Sequence, residues 1–311
     1  MASHHVLVVI DPTTEEQPAL ARGAWLAGHL GVPVELLICI YDQYLAGTRF
    51  FDSAGLEKLR EKLIEDSSAA LESLAREPRR SGLSVEIDAR WDHPLDQGIV
   101  RKVLESNPAI VVKDTHYHPA LKRGIFSNTD WNLIRACPVP LMLVRPRTLS
   151  ERPTVIAAVD PLHRHDKPAT LDQAIISAAT ELARTVEGDL HIFHSFDPAP
   201  SVSAAAYGVP PLGMDVKQIV ETVRQKHEET LAELLGGYTI PEDHVHFHQG
   251  PPQLELAAAV ERLDADFVVM GSVSRGAVES RLLGSTAERV LNDLPCDLLL
   301  VKPPGLGAPT A

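Results

Sequence analysis

A chain of 311 residues, 44% hydrophobic and 23% charged, has the length and composition of two ordinary globular domains. Its net charge of −13, with no dense block of Lys or Arg, weighs against nucleic acid as a partner. No window approaches the roughly 18 consecutive apolar residues of a membrane span. The opening residues run straight into Val6–Ile10 without a signal peptide, so a cytoplasmic location is expected.

In chain order, the first half predicts strands at Val6–Ile10, Val34–Ile40, Val85–Ala89, Ile110–Val112 and Leu141–Val144. Helices are expected between them at Pro18–Leu30, Gly55–Arg76, Leu95–Glu105 and Thr129–Ala136. The helix over Gly55–Arg76 is expected to bury a stripe of Leu59, Leu63, Ser67, Ala70, Leu71 and Leu74. The second half repeats the order. Its strands are Thr154–Val159, Asp189–His194, His244–His248, Phe267–Met270 and Leu298–Val301, and its helices Thr170–Thr185, Asp215–Leu235, Gln253–Leu263 and Thr286–Leu294. Strands alternating with helices imply a parallel sheet covered on both faces.

The halves match residue for residue in places. Val9–Pro12 parallels Ala158–Pro161, and Val111–Pro146 maps onto Val268–Pro303 at a constant offset, so tandem duplication is the reading. The boundaries follow: a first domain over residues 1–147, a second over 152–305, and a linker at Arg145–Pro153. The cysteines, Cys39, Cys137 and Cys296, are odd in number and lack metal spacing, which suits reduced structural thiols.

The stretch from Gly271 to Thr286 carries the chemistry. It leaves the fourth strand of the second copy on a glycine and enters a helix at Gly284-Ser285. A glycine at a strand exit lets backbone approach a ligand. A helix start offers free N–H groups and the positive end of a dipole to an anion. Ser285 and Glu288 also spell a capping box, the ordinary structural use of such a pattern. In the first copy Asp114, Tyr117 and Ser127 stand at the positions of Gly271, Ser274 and Gly284. A carboxylate there repels phosphate and a tyrosine crowds the loop, so no phosphate site is expected in that copy.

This motif resembles the Gly-x2-Gly-x9-Gly-(Ser/Thr) signature of the universal stress protein family, with Ser274 in place of the middle glycine. The likeness extends to Val8–Pro12, Gln17–Leu20, Thr129–Ile134, Gly284–Glu288 and the tail Cys296–Pro303, and covers nearly all of residues 1–303 in the manner of the tandem members. The resemblance implies two five-stranded parallel sheets of order 3-2-1-4-5 with helices on both faces. It also implies ATP or another adenine nucleotide in the second copy, with Mg2+ a further expectation. Carried over by position, Val159 and Asp160 flank adenine, ribose or a metal ion, Ser195 lines the adenine pocket and Gly271 lies against the ribose. Ser274, Gly284, Ser285 and Thr286 hold phosphates, and Arg275 is a charge partner or a solvated surface residue. From the family's homodimers, Leu141–Val144 and Leu298–Val301 are expected to meet as a pseudo-dimer within the chain; a homodimer of whole chains stays open.

Three secondary readings stand beside this one. His244, His246 and His248 alternate along one strand face and, with Asp160, are metal candidates; polar residues protecting a sheet edge are the alternative. The loops Tyr41–Gly55 and Phe196–Gly213 are apolar enough to cover an apolar, lipid-like ligand or simply to pack. No catalytic triad, carboxylate pair or Walker lysine is present. The functional reading is therefore a nucleotide-responsive stress factor; the alternatives are a slow ATPase, with Asp160 on Mg2+, or a binding or scaffold protein.

Overall fold

The computed structural model describes residues 5–42, 45, 53–118, 123–125, 127–162, 170–206, 215–272 and 294–303. Contacts divide the chain into two compact units, the first ending at Arg147 and the second beginning at Thr148. Among the described residues no helix is long and apolar enough to cross a membrane.

The first unit contains β1 (Val6–Val9), α1 (Pro18–Leu30), β2 (Val34–Ile40), α2 (Ser53–Arg80), β3 (Val85–Trp91), α3 (Leu95–Ser106) and β4 (Ile110–Asp114). A short antiparallel hairpin, β5 (His116–His118) with β6 (Arg123–Ile125), leads into α4 (Asn128–Ala136) and β7 (Leu141–Val144). The parallel pairings β3–β2, β2–β1, β1–β4 and β4–β7 give the expected order 3-2-1-4-5. Both faces are covered, so β1 and β7 are apolar and buried at every position. Gly23 of α1 packs on Val6 and Val8, while Lys102 of α3 reaches Glu35 and Asp88 from the opposite face.

The stripe that α2 buries differs from expectation. Leu56, Leu71 and Ala75 are buried, whereas Leu59 is 39% exposed. The buried line runs through Leu56 rather than Leu59, one of the three- and four-residue helical spacings that an apolar pattern alone leaves open. Beneath α3 lies a charged network: Lys102 pairs with both Glu35 and Asp88, and His5 with Glu35 at 3.0 Å. Burial pushes the Glu35 carboxyl up, but bonds from His5 and Lys102 outweigh it and hold the group below the ordinary carboxylate range.

The second unit runs β8 (Thr154–Ala158), α5 (Leu171–Thr185), β9 (Asp189–Phe196), α6 (Ala199–Ala206), α7 (Val216–Leu235), β10 (Val245–Gln249), α8 (Pro252–Leu263), β11 (Phe267–Gly271) and β12 (Asp297–Val301). Pairings β10–β9, β9–β8, β8–β11 and β11–β12 repeat the order of the first unit. The fully buried Asp266 fastens the incoming chain, accepting the N–H groups of Ser150 and Thr154 at 3.0 Å each. The helix expected from Thr286 lies outside the described residues. So does most of the loop leading to α7, although α6 occupies its first part.

Candidate functional site

In the second unit β8 pairs in parallel with β9 on one side and β11 on the other, so the order in which strands are added to the sheet reverses at β8. In an open parallel sheet the crevice beyond the strand C-termini at such a point is where ligands sit. Val159 and Asp160 directly follow β8, Ser195 is near the end of β9, and Gly271 ends β11. These four expected site residues thus share one end of the sheet. Ser274, Arg275, Gly284, Ser285 and Thr286 lie outside the described residues.

Gly271 has a steric reason to be glycine. A Cβ there would stand 2.6 Å from Cδ2 of Leu171 and 2.9 Å from its Cγ, and Leu171 is fully buried in the first turn of α5. The glycine lets the start of α5 close against the end of β11. Ser195 is 6% exposed, and its Oγ has no hydrogen-bond partner among the described residues.

Three residues the sequence reading passed over organise this corner. The Asp160 N–H donates to Oδ1 of Asp172 at 3.0 Å, and Asp172 is fully buried. His194 Nδ1 donates to the Val159 carbonyl at 3.0 Å, and its Nε2 meets Nδ1 of His227 at 2.8 Å. The expected strand over Asp189–His194 extends two residues further, so His194 lies inside β9 instead of at its end. Position alone could not reveal its partner, because His227 comes from α7, 33 residues away.

The first copy fills the same corner with its own groups. Asp114, at the position of Gly271, accepts the Ala19 N–H at the start of α1. Ser127, at the position of Gly284, makes a full capping box with Asp130. Its Oγ accepts the Asp130 N–H at 3.2 Å, and Asp130 Oδ2 accepts the Ser127 N–H at 2.8 Å. Asp130 is fully buried and paired with Lys113 at 2.8 Å, and Lys113 also donates to the Asp114 carbonyl. The N–H groups that would meet an anion at the start of α4 are therefore met by a side chain, and a carboxylate already occupies that end of the dipole. Tyr117 is on the β5 hairpin strand. Asp11, matching Asp160, closes a local turn with Thr13.

The histidines sort differently from the metal reading. His244 ends a short 3-10 turn instead of starting the strand, and its Nδ1 donates to the Leu190 carbonyl at 2.8 Å. His246 Nε2 pairs with His191 Nδ1 at 3.0 Å, and Arg262 donates to His248 Nε2 at 3.0 Å. Among the described residues no three His, Cys, Asp or Glu side chains gather as metal ligands, Asp160 included. Burial pushes the His246 imidazole down to about 4, and His191 and Arg262 add to the shift. Cys39 has its thiol pushed up to about 12, chiefly by burial, and none of the three cysteines forms a disulfide.

The fold and the doubled corner agree with what the chain is similar to. The model of the universal stress protein family matches residues 2–145 and again 153–302. Universal stress protein E of Escherichia coli K12 is 28% identical over 300 residues, 96% of this chain and 94% of that protein. Universal stress protein E of Photorhabdus laumondii is 27% identical over 307 residues, 98% and 96% of the two chains. A crystal structure of a protein of unknown function from Pseudomonas aeruginosa PAO1 superimposes with a TM-score of 0.74 at 26% identity, covering 97% of this chain and 93% of its own. A universal stress protein of Archaeoglobus fulgidus, 18% identical with a TM-score of 0.66, covers 97% and 99% and shares the fold. Two tandem matches that together span nearly the whole sequence show that this chain belongs to the universal stress protein family.

Proposed function

We propose that the second copy binds an adenine nucleotide, ATP with Mg2+ as the expected form, in the crevice bounded by Asp160, Ser195 and Gly271. The protein would then act in the cytoplasm as a nucleotide-responsive stress factor. The observation that carries this reading is the Ser195 hydroxyl, buried at the strand ends without a partner among the described residues. A buried hydroxyl left unmade costs about 1–3 kcal/mol, and a purine edge or a ribose hydroxyl supplies the missing bond. The matching residue of the first copy, from the shared rung Ile10 N–H to Leu37 and Val159 N–H to Phe193, is Cys39, a weak donor. Phosphates fall to Ser274, Gly284, Ser285 and Thr286, with Arg275 beside them, in the segment that begins just after Gly271. Calorimetric titration of Mg-ATP into wild type and Ser195→Ala tests this. Without nucleotide the variant should unfold later than wild type, because the unpartnered hydroxyl is gone, and it should bind about fivefold more weakly. A variant binding as tightly as wild type would refute the placement of the base.

A second reading, a binding protein for an apolar molecule, has one observation behind it. A cavity of about 510 Å³ opens between α1 and α2 of the first unit, lined by Leu20, Ala24, Trp25, Leu74 and Leu83, with Gln17 and Glu77 among its polar groups. That volume and lining suit a small ligand. Native mass spectrometry of freshly purified protein separates the readings by the mass retained.

A further inference from the structure

The Val159 carbonyl and the Asp160 N–H belong to one peptide unit, and buried side chains hold both ends of it. His194, 1% exposed, donates from Nδ1 to the carbonyl at 3.0 Å. Asp172, fully buried, accepts the N–H at 3.0 Å. Because the peptide unit is planar and stiff, these two bonds fix the plane's rotation, and with it the direction from which the Asp160 side chain departs. The regular pairing of β8 with β9 stops at Ala158, so side chains set the plane where the ladder no longer does.

The chemistry of the bonds also fixes the rings. A carbonyl can only accept, so His194 carries a proton on Nδ1 and, as a neutral imidazole, presents a bare Nε2. His227 must then donate from its own Nδ1 across the 2.8 Å contact. Phe196 and Phe247 enclose the pair, with ring centroids 5.7 Å from His227 and 5.8 Å from His194. Burying two imidazoles costs free energy that an aliphatic side chain would not. The first copy shows that the fold does not require them. Its Ile10 N–H bonds Leu37 C=O at 2.9 Å, as Val159 N–H bonds Phe193 C=O at 3.0 Å, which places Ile38 at the position of His194. Ile38 is 2% exposed and has no hydrogen to give the carbonyl. There the strand-end aspartate is tied differently, Gln17 Nε2 donating to the Asp11 carbonyl at 2.7 Å.

We propose that His194 and Asp172 are positioning residues of the second copy's site. They clamp the Val159–Asp160 peptide so that Asp160 is presented to the ligand in one orientation, and His227 holds His194 in the tautomer the clamp needs. The inference rests on the reading of this crevice as a nucleotide site.

The test uses the full chain with His194→Leu, His194→Asn and His227→Leu. Leucine imitates the first copy and should preserve the fold. Asparagine places an N–H close to where Nδ1–H stands and should restore the bond to Val159. Titrated with Mg-ATP, His194→Leu should bind about tenfold more weakly, His194→Asn within about twofold of wild type, and His227→Leu about threefold more weakly. Amide exchange at Asp160, followed by NMR without ligand, should quicken in His194→Leu and return toward wild type in His194→Asn. Wild-type affinity and wild-type exchange in His194→Leu would overturn the clamp. If wild type itself binds no ATP, the nucleotide reading fails while the exchange rates still decide the clamp.

Discussion

Gly271→Ala gives the sharpest account of how the site corner is built. The added Cβ would meet Leu171 at 2.6 Å and 2.9 Å, well inside the roughly 3.5–4.0 Å at which carbon atoms attract. Leu171 is fully buried, so it cannot swing aside into water. Overpacking a tight core costs about 1–3 kcal/mol, while replacing a strand glycine by alanine returns about 0.5–1 kcal/mol. A net loss of about 1–2 kcal/mol in the second unit is expected. The assay exploits an asymmetry of the sequence: Trp25, Trp91 and Trp131 all lie in the first copy. Denaturant unfolding followed by tryptophan fluorescence therefore reports the first unit, and circular dichroism reports both. Gly271→Ala should bring forward part of the dichroism transition and leave the fluorescence midpoint in place. Adding Leu171→Ala removes the methyl groups in the way, so the double variant should lose about 1–2 kcal/mol less than the single losses combined. An unmoved dichroism curve for Gly271→Ala, or strict additivity in the double variant, would refute the steric argument.

Asp266→Ala should destabilise the second unit by about 2–3 kcal/mol, because two N–H groups lose their acceptor; Asp266→Asn, which keeps one carbonyl oxygen, should lose about half as much by dichroism. His246 titrates near 4 in the fold against about 6.5 when unfolded, so its contribution is intact above pH 6.5 and is lost as pH falls toward 4. This half-exposed ring should then account for about 1 kcal/mol after solvent screening, and a His246→Gln chain should show a correspondingly flatter stability profile between pH 7 and pH 4. Lys102→Met leaves Glu35 and Asp88 without their shared cation and should cost the first unit about 2–3 kcal/mol. An unchanged fluorescence midpoint would contradict the role of that network.

Much of this was legible in the sequence, and the reason is physical. Buried parallel strands such as Leu141–Val144 and Leu298–Val301 are apolar throughout, so they announce themselves without any partner. Turn and cap signals bounded the first copy's α1 and α3 to within a residue. The misses are of two kinds. The hairpin at His116–His118 and Arg123–Ile125 has no apolar alternation to mark it, and Leu59 was misplaced because Leu56 and Leu59 both fit an apolar helical spacing and only packing selects Leu56. The site residues that escaped, Asp172, His194 and His227, act through partners distant in the chain. His194 reads as one polar residue within an apolar strand until α7 brings His227 against it. The self-capping of the first copy through Ser127 was half visible, since its substitution for glycine was clear, while Lys113 and Asp130 became a pair only in three dimensions.

The central claim is that duplication left one nucleotide site per chain, in the second copy. Calorimetric titration of Mg-ATP into the full chain, repeated on Gly284→Val, tests it most directly. The account predicts a stoichiometry of one and its loss in the variant, where bulk at the position expected from the sequence to start a helix would block the approach of N–H groups to phosphate. Two sites per chain, or a single site untouched by Gly284→Val, would contradict it.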